Sequence, residues 1–394
     1  MIDSITIAES GLLGFEAGLR TISNNTANLN TPGFKGSSTQ FADLFYSDSS
    51  LESDGSPGVG EFGYGLNTLG TTLNFTPGQQ SSTGDPLDVA ENGQGYFVLK
   101  NANGELHYTK DGEFKFDSSG TLVSATTGET VMGVDANGNL VPITLTNMGT
   151  NAPKATTTVT FSGNLSSTTT SDTVNNVTVI DAAGTTHTLS VALTAVSGQT
   201  GTWNVALMDG TTQVGNGTIA FSGGNVVSGS SKVALTYTPT GGQSMPLTLD
   251  FSSNVTSFDS GTSSTLAFAQ QDGYASSSLT GESFDSTGTL ILAYANGQTA
   301  KGPQLALAQF SSPDQVQSIG GNEFAAQGSS GWTIGTAGAG QFGTVADGEV
   351  EGSNVDLSTE FSNLVVMQRG YQACSQVIST ASDMLSTLFG IWGK

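Results

Sequence analysis

An apolar residue returns every three or four positions at both ends of this chain. Toward the C-terminus the series is Leu364, Met367, Tyr371, Cys374, Ile378, Ala381, Leu385 and Leu388. Toward the N-terminus it is Met1, Ile5, Ala8, Leu12, Phe15, Leu19, Ile22, Thr26 and Leu29, with one polar member. Alternating steps of three and four put side chains on one side of an α-helix, as in a coiled coil. Both ends are therefore expected to be seamed helices, each of about 30 residues and about 45 Å long. Asp356 is placed to cap the second helix, and Glu360 adds favourable charge to its first turn. Such a helix cannot cover its own stripe, so each seam needs a partner. The partner is either the other end of the same chain or a neighbouring copy; the second choice implies ends that order only in a polymer.

Between the seams the period changes. Pro32 disfavours helix at Thr31, and Pro32-Gly33 suits a type II turn. Residues 36–70 mix Ser and Gly with Phe41, Leu44, Phe45, Tyr46 and Phe62, which suggests an extended, packed connector. From Leu73 onward short alternating runs predominate: 96–99, 106–108 and 114–116, separated by Asn103-Gly104 and Asp111-Gly112, dipeptides that favour tight hairpins. Near Pro153 the composition moves to Thr, Ser, Gly and Val, with runs at 177–180, 188–191, 203–206 and 247–251 that read as a second all-β domain. Runs at 288–294 and 304–308 resume the first style. The expected fold is multi-domain α+β, with coiled-coil-like terminal helices enclosing two nested all-β domains. The expected parts are a helical inner domain (1–30 and 354–394), a connector (31–72), a first β domain (73–150 and 269–353) and an inserted second one (151–268).

Charge narrows the partners. Ten Lys and Arg stand against 33 Asp and Glu, a net charge of -23, which disfavours nucleic acid and anionic membranes. No run approaches membrane-spanning length, so no membrane insertion is expected. The opening MIDSITIAESGLLGFEAGLR has neither a basic n-region nor a continuous apolar core, so export, if it occurs, is expected to cleave no Sec-type signal. Cys374 is the one cysteine and reads as a small seam residue.

Motifs for chemistry are weak. GVGEFG (Gly58, Gly60, Gly63) and GAGQFG (Gly338, Gly340, Gly343) match a dinucleotide fingerprint but lack the strand before and helix after that would bring phosphate to a helix N-terminus. Asp135, Asn137 and Asn139 begin like a calcium loop, yet Leu140 and Thr146 occupy the positions that need Gly and Glu. His107 and His187 fall in different expected domains and read as strand-surface residues. No catalytic, cofactor-binding or metal-ligating residues are expected, and neither an enzymatic activity nor a cofactor.

The terminal segments carry a resemblance. ANLNTPGFK (27–35), with Asn28, Thr31, Pro32, Gly33 and Phe34, EGSNVDLS (351–358), with Ser353, Asn354, Val355 and Asp356, and QRGYQA (368–373), with Gln368, Arg369 and Tyr371, resemble the rod and hook family of bacterial flagellar axial proteins. Residues 89–123 resemble the β domain shared across that family, while 177–191, 202–210 and 269–310 look like its hook branch. The resemblance implies a helical homopolymer outside the outer membrane, a curved tube acting as a universal joint for motor torque. It implies contacts with copies of itself, a distal rod protein, a hook cap protein, hook–filament junction proteins and the flagellar type III export apparatus. Ile5, Leu12, Phe15, Leu19, Ile22, Leu364, Met367, Tyr371, Ile378, Leu385 and Leu388 would form its inner assembly layer. A distal rod subunit is the nearest alternative, and the 151–268 insertion argues against it. A secreted β-rich adhesin would not need two seamed ends.

Overall fold

The computed structural model describes residues 2–44, 46–50, 59–327, 332–339 and 342–392. Met1 of the first seam, Phe45 of the connector, and Gly58 and Gly340 of the glycine-rich stretches lie outside the described residues. The chain divides into two compact units: residues 1–146, 282–291 and 301–394, and residues 147–281 with 292–300.

The first unit holds both helices, α1 (Ile2–Ala27) and α2 (Leu357–Trp392). They pack on each other antiparallel: Gly11 lies against Cys374, Phe15 against Gly370, and Gly18 against Met367. Of the two partners open to each seam, the structure shows the other end of the same chain. The seam centre differs from the expected one. On α1 the buried positions are Ala8, Gly11, Gly14, Gly18, Ile22 and Asn25, while Ile5, Leu12, Phe15 and Leu19 flank them half-buried. A Cβ on Gly11 would come within 2.7 Å of the Cys374 sulfur, and one on Gly18 within 2.9 Å of the Met367 sulfur. Glycine costs a helix roughly 1 kcal/mol per position relative to alanine; here it admits a neighbouring side chain right up to the helix backbone. On α2 the inward row is Leu364, Met367, Gly370, Cys374, Ile378, Ala381 and Leu385. Gly370 takes the inward place expected for Tyr371, because only a residue without a side chain clears the Phe15 ring.

Beyond α1 the chain turns at Pro32-Gly33, where Phe34 N–H donates to Thr31 O (3.3 Å) and Gly33 has φ 68°. The connector forms strand Ser37–Asp43, antiparallel to Leu66–Leu73, with a bulge at Gln40/Phe41. Next, strand Tyr96–Lys100 pairs with Leu106–Thr109 on one side and Thr130–Val134 on the other. Leu106–Thr109 also pairs with Glu323–Ala326, contributed from far along the chain. Tyr96, Val98, Tyr108, Met132 and Phe324 form the core there, and Trp332 stacks on Tyr108 at 3.8 Å. Asn103-Gly104 closes a hairpin as expected (Gly104 N–H to Asn101 O, 3.0 Å). Asp111-Gly112 does not. Strand Phe114–Phe116 pairs instead with Leu122–Ser124, because Gly112 is pressed against the Val89 carbonyl and the Lys110 and Asp111 side chains are buried.

The second unit is β-structure with apolar residues alternating inward. Strands Ser171–Ile180, Thr186–Ala195, Thr202–Asp209 and Thr212–Ser222 follow one another as an antiparallel meander. Val174, Leu189, Val191, Leu193, Trp203, Val205 and Leu207 are buried, and the Thr and Ser between them face outward or lie half-buried. Phe161 stacks on Phe251 at 4.6 Å. Strand Thr158–Asn164 runs parallel to Met245–Asp250 and antiparallel to Ala267–Gln271. Asp272 anchors this corner: it accepts the N–H groups of Thr157 (2.8 Å) and Thr158 (2.9 Å) and the Thr157 hydroxyl (2.7 Å).

Burial opposes ionisation of Asp272, but these hydrogen bonds and the nearby Lys154 outweigh it and hold its pKa down to about 2, against an ordinary 3.8. A depressed carboxylate pKa stabilises the fold above the unfolded value and loses that contribution as pH falls through the folded one. Asp272→Asn is therefore expected to cost ~1 kcal/mol at neutral pH, after allowing for solvent screening. Stability of the variant should also fall less steeply between about pH 4 and about pH 2. Urea unfolding at a series of pH values measures both.

Candidate assembly interface

Lysine is scarce here, and two lysines are buried. The turn after α1 carries Lys35, whose ammonium donates to Glu351 Oε1 at 2.6 Å, both side chains being 1–2% exposed. Lys35 also donates to Thr76 O (3.0 Å), and the same Glu351 oxygen accepts Gly78 N–H (2.7 Å). Lys110, at the end of strand Leu106–Thr109, pairs with Glu91 (2.5 Å), lies 3.5 Å from Glu351 Oε2, and sits over the Tyr96 ring. Two ammonium groups and two carboxylates thus fill one dry site. Burial pushes the Lys35 pKa below its ordinary value, and Glu351 opposes that shift. Tyr96 is pushed well up, first by burial and then by the charges of Glu351 and Glu91.

The two terminal motifs meet around this charge group. Gly33 N–H donates to Glu351 O (2.7 Å), Asn354 N–H to Phe34 O (3.3 Å), and Gly36 N–H to Asn354 Oδ1 (2.8 Å). Asn354 also gives its amide hydrogens to Asn74 O (2.7 Å) and Thr76 O (2.9 Å). Pro32 O accepts from Asn322 (2.9 Å), Asn28 Oδ1 from the Thr31 hydroxyl (3.2 Å), and Ser353 Oγ from Val355 N–H (3.3 Å). Asp356 caps α2 by accepting Thr359 N–H at 2.7 Å. In the last turn of α1, Asn25 bonds both polar groups of the Ser37 backbone and donates to Glu360 Oε1 (2.9 Å), linking the two helices. The motif residues Asn28, Thr31, Pro32, Gly33, Phe34, Ser353, Asn354, Val355 and Asp356 are thereby collected at one junction. Gln368, Arg369 and Tyr371 lie apart from it, outward on α2, with Tyr371 41% exposed. Sequence reasoning passed over Lys35, Glu351, Lys110 and Glu91. The available signal was the position of Lys35 and Glu351 inside the two motif segments of a chain with so few cations.

Beyond the junction α2 presents a second row. Val366, Ala373, Val377, Met384 and Ile391 follow one another at steps of seven or four, so they share a side of the helix. Val366 is 63% and Ile391 67% exposed, and Phe389 nearby is 70% exposed. Ala373, Val377, Thr380, Ala381 and Met384 line an apolar groove with Ser4 of α1. Leu388 of the inward seam is also exposed, where α2 runs past the end of α1.

Known proteins place this arrangement. Relatives named flagellar hook protein FlgE match it end to end. That of Salmonella typhimurium is 32% identical over 98% of this chain and 100% of its own length. This chain belongs to the flagellar hook protein family. The Escherichia coli relative is also 32% identical, over 98% of each chain, and the Rhizobium meliloti one 28% identical over 97% of each. Residues 5–35 match the flagella basal body rod protein model, 90–173 the flagellar hook protein FlgE/F/G D1 domain, and 346–391 the flagellar basal body rod FlgEFG protein C-terminal model. This hook-family chain is a structural subunit of the flagellar hook, and among its described residues no helix is long and apolar enough to cross a membrane.

Removing one member of a buried ion pair strands the other. Glu351→Ala is expected to cost roughly 3–5 kcal/mol, whereas Lys35→Met with Glu351→Met should cost much less, because no charge is left unpaired. Denaturant unfolding monitored by tryptophan fluorescence compares the two.

Proposed function

We propose that this subunit polymerises into a curved, flexible tube, a universal joint that carries motor torque from rod to filament. The outward apolar row of α2 supports this reading most directly. A contiguous stripe of that kind on a soluble chain marks a contact surface. A head-to-tail contact that does not close on itself produces a helical tube. In this scheme the terminal segments 1–30 and 354–394, which contain α1 and α2, build the inner layer, and Ile5, Leu12, Phe15, Leu19, Ile22, Leu364, Met367, Ile378 and Leu385 hold each pair together. Tyr371, Leu388 and the row from Val366 to Ile391 meet neighbouring copies.

Stiffness and bending then have different sources. Close helix packing resists sliding, since interdigitated side chains have few alternative registers. Ser- and Thr-rich β surfaces with little charge exchange water-mediated contacts at small cost, so neighbours can shift as the tube bends. The distal rod protein, hook cap protein and hook–filament junction proteins would meet the tube ends. Passage through the flagellar type III export path would deliver each chain.

Val377→Asp with Met384→Asp places two charges in the stripe and leaves the inward row of α2 unchanged. Electron microscopy under polymerising conditions is expected to show no tubes, with circular dichroism unchanged. Normal tubes from that variant would count against the assembly role of this face.

A further inference from the structure

One histidine of the first unit stands between two carboxylates. His107, on strand Leu106–Thr109, points Nδ1 at both oxygens of Glu129 (2.9 Å each) and at Glu323 Oε2 (3.3 Å). Topology assembles the trio. Glu129 ends the turn that leads into strand Thr130–Val134, and Glu323 opens the strand that pairs with Leu106–Thr109 after the tight turn at Gly321-Asn322. These three donor atoms all lie within 4.8 Å of one another, the one such group among the described residues.

Hydrogen bonding leaves the trio unsatisfied. Nδ1 can carry one proton, yet three carboxylate oxygens crowd it. Even a charged imidazolium offsets only one of the two carboxylates, and among the described residues no lysine or arginine pairs with either. Glu323 is 5% exposed, and its Oε1 is buried without a hydrogen-bond partner. An uncompensated carboxylate in such surroundings is costly.

A cation at Glu323 Oε2 and Glu129 would offset the carboxylate charge that one imidazole cannot. An ion about 2.0–2.2 Å from nitrogen and oxygen ligands in a tetrahedral array holds those ligands about 3.4 Å apart, near the 2.9–3.3 Å between Nδ1 and the carboxylate oxygens, and the three donor atoms lie within 4.8 Å of one another. We propose that His107 Nδ1, Glu129 and Glu323 bind a first-row divalent cation of borderline softness, Zn2+ in particular. One imidazole with two carboxylates suits such an ion better than the all-oxygen preference of Ca2+ or Mg2+. The ion joins the hairpin 96–109, the 125–129 turn and the strand Glu323–Ala326, so it staples chain segments separated by 216 positions between His107 and Glu323.

The test uses the full chain stripped with a chelator and titrated with Zn2+ in a calorimeter. One equivalent should bind, and thermal unfolding should shift upward with Zn2+ concentration. Glu129→Gln and His107→Gln should each weaken binding at least about tenfold, while Cys374→Ser and His187→Gln leave it unchanged. Glu129 is the more exposed carboxylate, so E129Q keeps the test valid where E323Q fails to fold. Co2+ should give visible absorption bands in the unaltered chain and lose them in E129Q. Absence of saturable Zn2+ binding, or equal binding by the unaltered chain and E129Q, would overturn the proposal and leave an imidazolium–carboxylate network.

Discussion

The ammonium–carboxylate contact between Lys35 and Glu351 joins positions 316 residues apart and lies between the end of α1 and the start of α2. A buried ion pair of this kind contributes little net stability, since desolvation offsets most of the attraction. What it supplies is uniqueness. With Gly33, Gly36 and Asn354 bonded across the same gap, the end of α1 and the start of α2 have one permitted relation. The antiparallel register follows from it: Asn25 reaches Glu360, and equal steps along the helices bring Gly18 to Met367 and Gly11 to Cys374. A seam of half-buried apolar residues alone would tolerate slippage by a turn. The charged junction does not, because sliding would leave Lys35 or Glu351 unpaired in a dry site.

How much of this was legible in the sequence depends on the range of the interaction concerned. The two helices and many of the strands show in periodicity, a local property. Asn103-Gly104 predicts its hairpin because a two-residue turn depends on its own backbone preferences. Asp111-Gly112 carries the same signal and makes a different structure, since its neighbours Lys110 and Glu91 have a stronger claim on the local geometry. Tyr371 fits the seam by spacing, yet Gly370 takes the inward place because of Phe15 on the other helix. Likewise, His107 looks like an isolated strand residue until the pairing of Leu106–Thr109 with Glu323–Ala326 brings a carboxylate to it. Each miss involves a partner beyond the reach of a local turn, 19 positions away for Lys110 and Glu91 and 216 for His107 and Glu323.

The glycines of α1 make the helix pair suited to reuse. Gly11 and Gly18 admit Cys374 and Met367 of α2, Gly370 admits the Phe15 ring, and the other large side chains of α1 lie half-buried beside these contacts. The helices approach closely over a narrow strip, and α2 then has apolar surface to spare on the side of Val366, Val377, Met384 and Ile391. A wider seam of leucines would have spent that surface within one chain and left little for a neighbour.

Charge distribution acts in the same direction. With 33 acidic residues against 10 basic ones, and Lys35 and Lys110 withdrawn into the junction, the remaining surface has few cations to pair with the carboxylates of another copy. Attraction between such chains must therefore come from apolar and neutral polar contact, with long-range charge acting against it. Salt screens that repulsion within about 8 Å at physiological strength, which leaves short-range contacts to hold one copy against another. Apolar contact is also non-directional, so a stripe can hold a neighbour while permitting the small shifts that a bending assembly requires.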